Sequence, residues 1–241
     1  MMTIGGTAHI LMLVATAVII ILLVILVSKV SFKWQCVVIH SCVLICMIGI
    51  VFLHLTHYGT RIDFKNFFGQ MFQVCNFNFI LLPLCLIKKN ELARQYLLYF
   101  SMFAAASTFV SYPSDVQNSM WYSIVTMNFW IDHAMVVAVA LLMVAARWTK
   151  PQMKYVLWTT LCVVGYFLLA FVANCGFNGW AIQGAYNYSY TMNAGEIMVL
   201  KPLYKLIPIP FVYLLPLIPA LIGLFYLFAL MFKRYQVKQL D

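Results

Sequence analysis

The amino-acid sequence predicts an all-α protein that crosses a membrane several times. Hydrophobic residues make up 65% of the 241 residues, charged residues make up only 9%, and the mean hydropathy is +0.94. Soluble domains carry roughly 25% charged residues, so this composition excludes an ordinary soluble domain. The apolar runs are continuous, whereas the strands of a membrane barrel alternate between apolar and polar residues. We therefore expect a single bundle of membrane-spanning helices over residues 1–241.

Seven apolar segments are long enough to cross a bilayer, which takes about 20 helical residues. They cover residues 7–28, 36–57, 69–87, 95–112, 121–146, 155–174 and 209–231. The first segment has no basic residue before it and no small-x-small cleavage site after it. We therefore interpret it as a span and not as a signal peptide. The sequence predicts a polytopic bundle of seven transmembrane helices.

The connection between the sixth and seventh segments, residues 175–208, is rich in glycine, asparagine and tyrosine. These residues are typical of an interfacial loop, in which tyrosine lies at the depth of the lipid headgroups. Five prolines follow in and after this connection: Pro202, Pro208, Pro210, Pro216 and Pro219. Because proline interrupts a helix, we expect a broken or kinked entry into the last span.

The distribution of lysine and arginine predicts the orientation in the membrane. Of the 15 basic residues, 11 fall on one side of the predicted spans and four on the other. The positive-inside rule then puts the N-terminus outside and the C-terminus in the cytoplasm of a cell-membrane protein. The net charge of +9 follows from this bias and suits anionic lipid headgroups. It is no argument for a nucleic-acid partner.

Two polar interruptions inside these apolar segments predict a built site. One is residues 73–78 in the third span, and the other is residues 128–133 in the fifth. A polar group in hydrocarbon costs free energy unless it finds a partner. A thiol becomes a good nucleophile when a neighbouring base takes its proton, and an imidazole is the usual base. We interpret Cys75 as a candidate nucleophile and His133 as its candidate base.

Other polar side chains are candidates for supporting roles. The carboxamides of Asn76 and Asn78 are suited to donate hydrogen bonds to an oxyanion during acyl transfer. Asp132 is rotated by about 100° from His133 on a helix, so it is a poor orienting partner. A group from another helix is more plausible, and Asn174, His54 or a tyrosine of residues 186–190 meets that description. We expect no metal and no cofactor, because no third ligand accompanies the histidines at the end of the second span.

Three stretches together resemble the YwaF-type family of bacterial seven-span membrane proteins and its eukaryotic relatives, the Cys/His phospholipid acyltransferases. The stretches are Phe72-Gln73-Val74-Cys75-Asn76-Phe77-Asn78-Phe79, Phe129-Trp130-Ile131-Asp132-His133, and Asn187-Tyr188-Ser189-Tyr190 followed by Lys201-Pro202. The resemblance implies acyl transfer between membrane phospholipids and lysophospholipids without acyl-CoA. Cys75 would carry the acyl chain as a thioester, and His133 would activate first Cys75 and then the acceptor. Asn187 and Tyr188 would contribute to substrate binding.

Two other classes of function remain open at this stage. A proton-coupled transporter would use Asp132 and His133 as its proton site, since intramembrane acids often serve that purpose. A non-catalytic scaffold would bind a partner through the outer aromatic loop. The preferred hypothesis is a membrane lipid acyltransferase or acyl hydrolase that acts in the outer half of the bilayer.

Overall fold

The computed structural model describes residues 4–58, 71–88, 90–110, 116, 119–180, 186–195, 197 and 200–237, with the backbone alone at 53–58. In chain order, the α-helices in these ranges are α1 (Thr7–Lys29), α2 (Phe32–Tyr58), α3 (Asn78–Leu86), α4 (Glu91–Tyr96), α5 (Met102–Thr108), α6 (Ile124–Ala145), α7 (Val156–Phe177), α8 (Leu200–Leu206) and α9 (Leu217–Met231). A π-helical turn, Leu97–Ser101, joins α4 to α5. These ranges contain no strand, so the prediction of an all-α fold is confirmed for them.

Five helical segments are long and apolar enough to cross a membrane, judged by length and composition: Thr7–Lys29, Phe32–Phe52, Ile124–Ala145, Met153–Phe177 and Val212–Met231. They correspond to the first, second, fifth, sixth and seventh predicted spans. The protein is therefore a multi-pass membrane protein. Its orientation and the count of seven crossings stay predictions.

The third predicted span is not one long helix. Within its described part, the chain forms turns and a bend at residues 72–77 before α3, which has only nine residues. Polar groups at the start of this stretch bond to a distant loop, as described below. Pro83 also lies inside α3 and removes one backbone donor. A polar, proline-containing stretch therefore shortens the helix that apolar length alone predicts.

The fourth predicted span begins four residues earlier than expected. Asn90 caps α4, because its side-chain oxygen accepts a hydrogen bond from the N–H of Ala93 at 3.4 Å. Glu91 in the first turn also suits the positive end of the helix dipole. From Glu91 the chain stays helical through the π-helical turn to Thr108.

The described chain divides into two compact units. The first unit comprises Met1–Thr60, Asn78–Lys150 and Arg234–Asp241, and the second comprises Arg61–Phe77 and Pro151–Lys233. In the first unit, α6 is the central helix and packs against α1, α2, α5 and the π-helical turn. Its Trp130 stacks on Phe109 with ring centroids 4.8 Å apart. The candidate base therefore lies on the central helix of that unit.

In the second unit, α7 packs against α9 and against the short 3-10 turn Tyr188–Tyr190. The helix α8 lies inside the connection that the sequence predicts as a loop. Pro202 is the third residue of α8, where a proline is tolerated because first-turn N–H groups have no helical partner. The prolines expected to interrupt the last span do so, since Pro216 is the N-cap of α9.

Candidate functional site

His133 lies on α6 and is almost completely buried, with 6% of its surface exposed. Its Nδ1 atom lies 2.6 Å from the backbone oxygen of Phe129, one turn earlier. A carbonyl oxygen only accepts hydrogen bonds, so Nδ1 carries a proton, and in the neutral imidazole Nε2 then keeps its lone pair. Nε2 is buried and has no hydrogen-bond partner among the described residues. This is the tautomer that a general base requires.

Asp132 points to a different neighbour. Asn128, one turn earlier on α6, donates from Nδ2 both to Asp132 Oδ2 at 2.9 Å and to the backbone oxygen of Gly49 on α2 at 3.1 Å. The thiol of Cys46 on α2 donates to the backbone oxygen of Asp132 at 3.7 Å. Asp132 is therefore part of the contact between α2 and α6, and its carboxyl does not orient His133.

Cys75 is a half-buried cysteine in the turns that precede α3. Two groups just before it bond to Ser189 in the same unit. Gln73 Oε1 accepts the backbone N–H of Ser189 at 3.2 Å, and the backbone oxygen of Phe72 accepts the Ser189 hydroxyl. These bonds fix the position of a backbone stretch that has no long helix to support it.

Tyr166 on α7 completes the surroundings of Cys75. The Tyr166 and Ser189 hydroxyls lie 3.1 Å apart. Ser189 has one hydroxyl proton, which Phe72 accepts, so Tyr166 is the donor in this pair. The Tyr166 ring packs against Phe77 with centroids 4.8 Å apart, and Tyr166 interacts electrostatically with Cys75. The thiol thus has an aromatic and hydroxyl environment within the second unit.

Ser189 and Tyr190 adopt the left-handed backbone region, with φ of 52° and 57°. Residues with a side chain seldom adopt this conformation, and its cost is met by surrounding contacts. The Tyr213 hydroxyl donates to the backbone oxygen of Tyr190, and Asn174 holds the turn from α7. Strain of this kind is concentrated at functional sites.

Asn174 is fully buried and uses its whole carboxamide on the 188–191 turn. Its Nδ2 donates to the backbone oxygen of Tyr188 at 2.9 Å and to Thr191 Oγ1 at 2.8 Å. Its Oδ1 accepts the N–H of Tyr188 at 2.9 Å. Asn187 similarly organises the following residues, because its Oδ1 accepts the N–H of Met192 at 2.9 Å. Both asparagines therefore build the loop.

A family model matches most of the chain. The family is described as the TMEM164 family, and the match covers residues 4–231. The chain belongs to the TMEM164 family. The predicted membership of the YwaF-type bacterial family is therefore wrong. Short motifs of polar and aromatic residues carried that resemblance, whereas the family match follows nearly the whole chain. No curated protein and no solved structure matches the chain.

The remaining predicted site residues of this TMEM164-family chain are dispersed. Asn76 is half-buried in the turns beside Cys75, whereas Asn78 is buried as the first residue of α3. The side chain of His54 lies outside the described residues. Cys75 belongs to the second unit and His133 to the first. Roles for these residues in binding or catalysis stay predictions.

The described residues contain no cluster of three or more histidine, cysteine or acidic side chains placed to hold a metal ion. Sequence reasoning missed three residues that the structure singles out: Gly49, Tyr166 and Ser189. Gly49 is the only glycine in the sequence of α2, but the sequence does not show which side chain faces it. Ser189 lies in one of the stretches that carry the resemblance, where it received no role. Tyr166 had no signal, because only its spatial neighbours distinguish it.

Proposed function

We propose that this TMEM164-family protein is a lipid acyltransferase or acyl hydrolase of the cell membrane. Cys75 is the proposed nucleophile and His133 the proposed base. The observation that carries the proposal is the imidazole of His133. The Phe129 carbonyl accepts a hydrogen bond from Nδ1 and so fixes the orientation of the ring. Nε2, the other ring nitrogen, is buried and has no hydrogen-bond partner among the described residues.

In the proposed first half-reaction, the imidazole takes the proton of the Cys75 thiol. The sulfur attacks the ester carbonyl carbon of a phospholipid and forms a thioester. The bond between the acyl carbon and the glycerol oxygen breaks. The imidazolium returns its proton to that oxygen, and a lysophospholipid leaves. No redox cofactor and no external acyl carrier takes part.

In the proposed second half-reaction, the hydroxyl of an acceptor gives its proton to the imidazole and attacks the thioester carbonyl. The carbon–sulfur bond breaks, and the Cys75 thiol regains its proton. A lysophospholipid acceptor makes the reaction an acyl transfer, and water makes it a hydrolysis. The carboxamide of Asn76, beside Cys75, is the proposed donor to the tetrahedral oxyanion.

The surroundings of Cys75 support the choice of this cysteine. It lies in turns held by Ser189, half-buried, and beside Tyr166. By contrast, Cys42, Cys46 and Cys85 are buried in apolar helices, where cysteine behaves as a small hydrophobic residue. Irregular backbone at membrane depth is tolerated where protein or a water-filled cavity covers it, and such backbone gives a thiol room to react.

The first test detects the covalent intermediate. Purified protein in phospholipid vesicles is incubated and analysed by intact-protein mass spectrometry. We expect an acyl adduct on wild type that hydroxylamine releases, and no adduct on Cys75→Ala. Cys162→Ala is the matched control, because Cys162 is another half-buried cysteine, on α7; this variant should acylate at Cys75 as wild type does. His133→Gln should slow acylation about 100-fold or more.

Product analysis separates the two acceptors. Added lysophospholipid should receive the acyl chain from a transferase, whereas a hydrolase releases free fatty acid at the same rate without it. An adduct that persists in Cys75→Ala would refute the assignment of the nucleophile. If wild type itself forms no adduct and no product, or if Cys75→Ala and His133→Gln both match it in adduct and products, the proposed Cys75–His133 chemistry is wrong.

A further inference from the structure

We infer that Asp132 is an uncharged carboxylic acid whose close contact with Gly49 fixes the rotation of α6 and thereby positions His133. The positioning part of this inference rests on the proposed function. The contact between Asp132 and Gly49 does not depend on the proposed function. All the residues involved belong to the first unit: Asn128, Asp132 and His133 on α6, and Gly49 on α2.

The contact with Gly49 leaves no room for a side chain. A methyl group on Gly49 would lie 2.9 Å from Asp132 Cγ, 3.3 Å from Asn128 Oδ1, and closer still to Asp132 Oδ1. The Asp132 side chain is short, so it has few other positions to adopt. Moving its carboxyl away would also break the 2.9 Å hydrogen bond from Asn128. Glycine is therefore required at position 49 for these two helices to approach as they do.

Asn128 joins the two helices through one amide nitrogen. Its Nδ2 donates to the Gly49 carbonyl on α2 and to the Asp132 carboxyl on α6. The Asp132 carboxyl thus lies directly against Gly49, and the Asn128 amide donates a hydrogen bond to the Gly49 carbonyl. Together these contacts define both the distance between the helices and the angle of α6 about its own axis.

The surroundings of the carboxyl favour its uncharged form. Oδ2 has one donor, Asn128, and Oδ1 is buried without a hydrogen-bond partner in the described part of the chain. An isolated carboxylate in such a site would lose far more solvation than one amide replaces. The sequence of α6 contains no lysine or arginine, and α2 contains only Lys33, in its first turn. Among the described residues, the titratable groups next to Asp132 are Cys46 on α2, whose thiol contacts the Asp132 backbone oxygen, and His133 on α6, whose ring bonds to the Phe129 carbonyl.

The position of His133 follows from this contact. Successive residues of an α-helix are rotated by about 100°, so a helix locked through residue 132 has a fixed direction for residue 133. The carbonyl that orients the His133 ring belongs to Phe129, the residue directly after Asn128. Asp132 and Asn128 thus act as positioning residues for the proposed base without touching it.

A double-mutant cycle tests the contact without any reference to activity. We expect Gly49→Ala to lower the melting midpoint of the purified protein by about 5–10 °C, as overpacking does. In an Asp132→Ala background, the same substitution should cost little, because the clashing carboxyl is gone. Gly165→Ala is the matched control, because no atom of the described residues, apart from the neighbouring backbone of its own helix, lies within 4 Å of a methyl group at that mid-helix glycine. Equal effects of Gly49→Ala in both backgrounds would overturn the contact.

A second measurement tests the charge state. Infrared spectra of the membrane-reconstituted protein should contain a protonated-carboxyl band at neutral pH that Asp132→Asn removes. Asp132→Asn has nearly the same shape as the uncharged acid, so its melting midpoint should stay within about 2 °C of wild type. A carboxylate band in place of the acid band, with a large loss of stability in Asp132→Asn, would refute the uncharged acid.

The positioning role is read from the rate of Cys75 acylation per folded molecule. Asp132→Asn should keep this rate within about twofold, whereas Asp132→Ala should lower it at least tenfold while the protein remains folded. If wild type forms no Cys75 adduct, the proposed function fails. The double-mutant cycle still tests the contact between Asp132 and Gly49, and the infrared band still tests the charge of Asp132. Loss of activity in Asp132→Asn with its stability intact would favour a proton-transport role and overturn the positioning role.

Discussion

At the scale of single residues, His9 shows how one imidazole can satisfy two backbone groups in an apolar core. Its Nδ1 accepts the N–H of Gly5 at 2.9 Å, so Nε2 carries the proton and donates to the backbone oxygen of Phe109 at 2.7 Å. The His9 ring also packs against the Trp130 ring in a T-shaped arrangement, with centroids 5.9 Å apart. His9 therefore connects the start of α1 to the residue that follows α5.

We predict that His9→Leu lowers the free energy of unfolding by about 1–3 kcal/mol, because it leaves a buried carbonyl without its donor. His40→Leu is the control. His40 is exposed, and its one hydrogen bond within the described residues is to the carbonyl of Cys36, one turn earlier on its own helix. Thermal melts of both variants in the same detergent give the comparison. A His9→Leu midpoint equal to that of His40→Leu would contradict the connecting role.

The residues that the sequence identified differ in kind from those it missed. Cys75, Asp132 and His133 stand out because polar groups are rare in apolar segments. Gly49 does not, because a glycine in a helix has many explanations until the facing side chain is known. The tautomer of His133 was equally unpredictable, since it depends on a backbone carbonyl that every residue possesses.

At the scale of secondary-structure elements, the junction of α3 and α4 is held by a buried polar network. Arg94 is 4% exposed and donates from Nε to the Cys85 carbonyl at 2.9 Å, near the end of α3. It also pairs with Glu91 at 3.6 Å. Glu91 Oε1 in turn accepts from Gln95 at 2.6 Å and from the hydroxyl of Thr149, which follows α6. Charge counting treats Arg94 as a surface residue of a cytoplasmic loop, whereas it serves to end α3.

We predict that Thr149→Val lowers the free energy of unfolding by about 1–3 kcal/mol, because the partly buried Glu91 carboxylate loses one of its donors. Thr160→Val is the matched control. Thr160 is equally buried, but in the described part of the chain its hydroxyl bonds to a single group, the Val156 carbonyl of its own helix, at 2.9 Å. Chemical unfolding of the two variants measures the difference. Equal losses would show that Glu91 does not depend on Thr149.

The elements themselves were predicted to differing degrees, for a physical reason. The long apolar runs correctly predicted five helices, because an apolar run of about 20 residues is typical of a membrane-spanning helix. These helices are α1, α2, α6, α7 and α9. The stretch before α3 was misjudged because the Phe72 carbonyl and the Gln73 side chain bond to Ser189, more than 100 residues away. The helix α8 was missed because its two lysines and its proline suggest a loop.

At the scale of the whole molecule, the number of membrane crossings depends on whether α3 and the α4–α5 helix cross the bilayer. The nine residues of α3 extend only about 14 Å, less than half of the roughly 30 Å hydrocarbon core. The 18 residues from Glu91 to Thr108 extend about 27 Å, which nearly suffices. Five crossings and seven crossings both put the two termini on opposite sides, so the termini do not discriminate between them. The connection between α3 and α4 does.

We predict that Lys88, exposed at the end of α3, faces the cytoplasm, because seven crossings and the positive-inside rule both put it there. A membrane-impermeant maleimide should label Lys88→Cys only after cells are permeabilised, above the background of the native cysteines. Ile4→Cys should be labelled in intact cells and Lys233→Cys only after permeabilisation, whether there are five or seven crossings. Labelling of Lys88→Cys in intact cells would mean that α3 and the α4–α5 helix enter and leave on the outer side. The proposed thiol, three residues before α3, would then lie in a re-entrant segment.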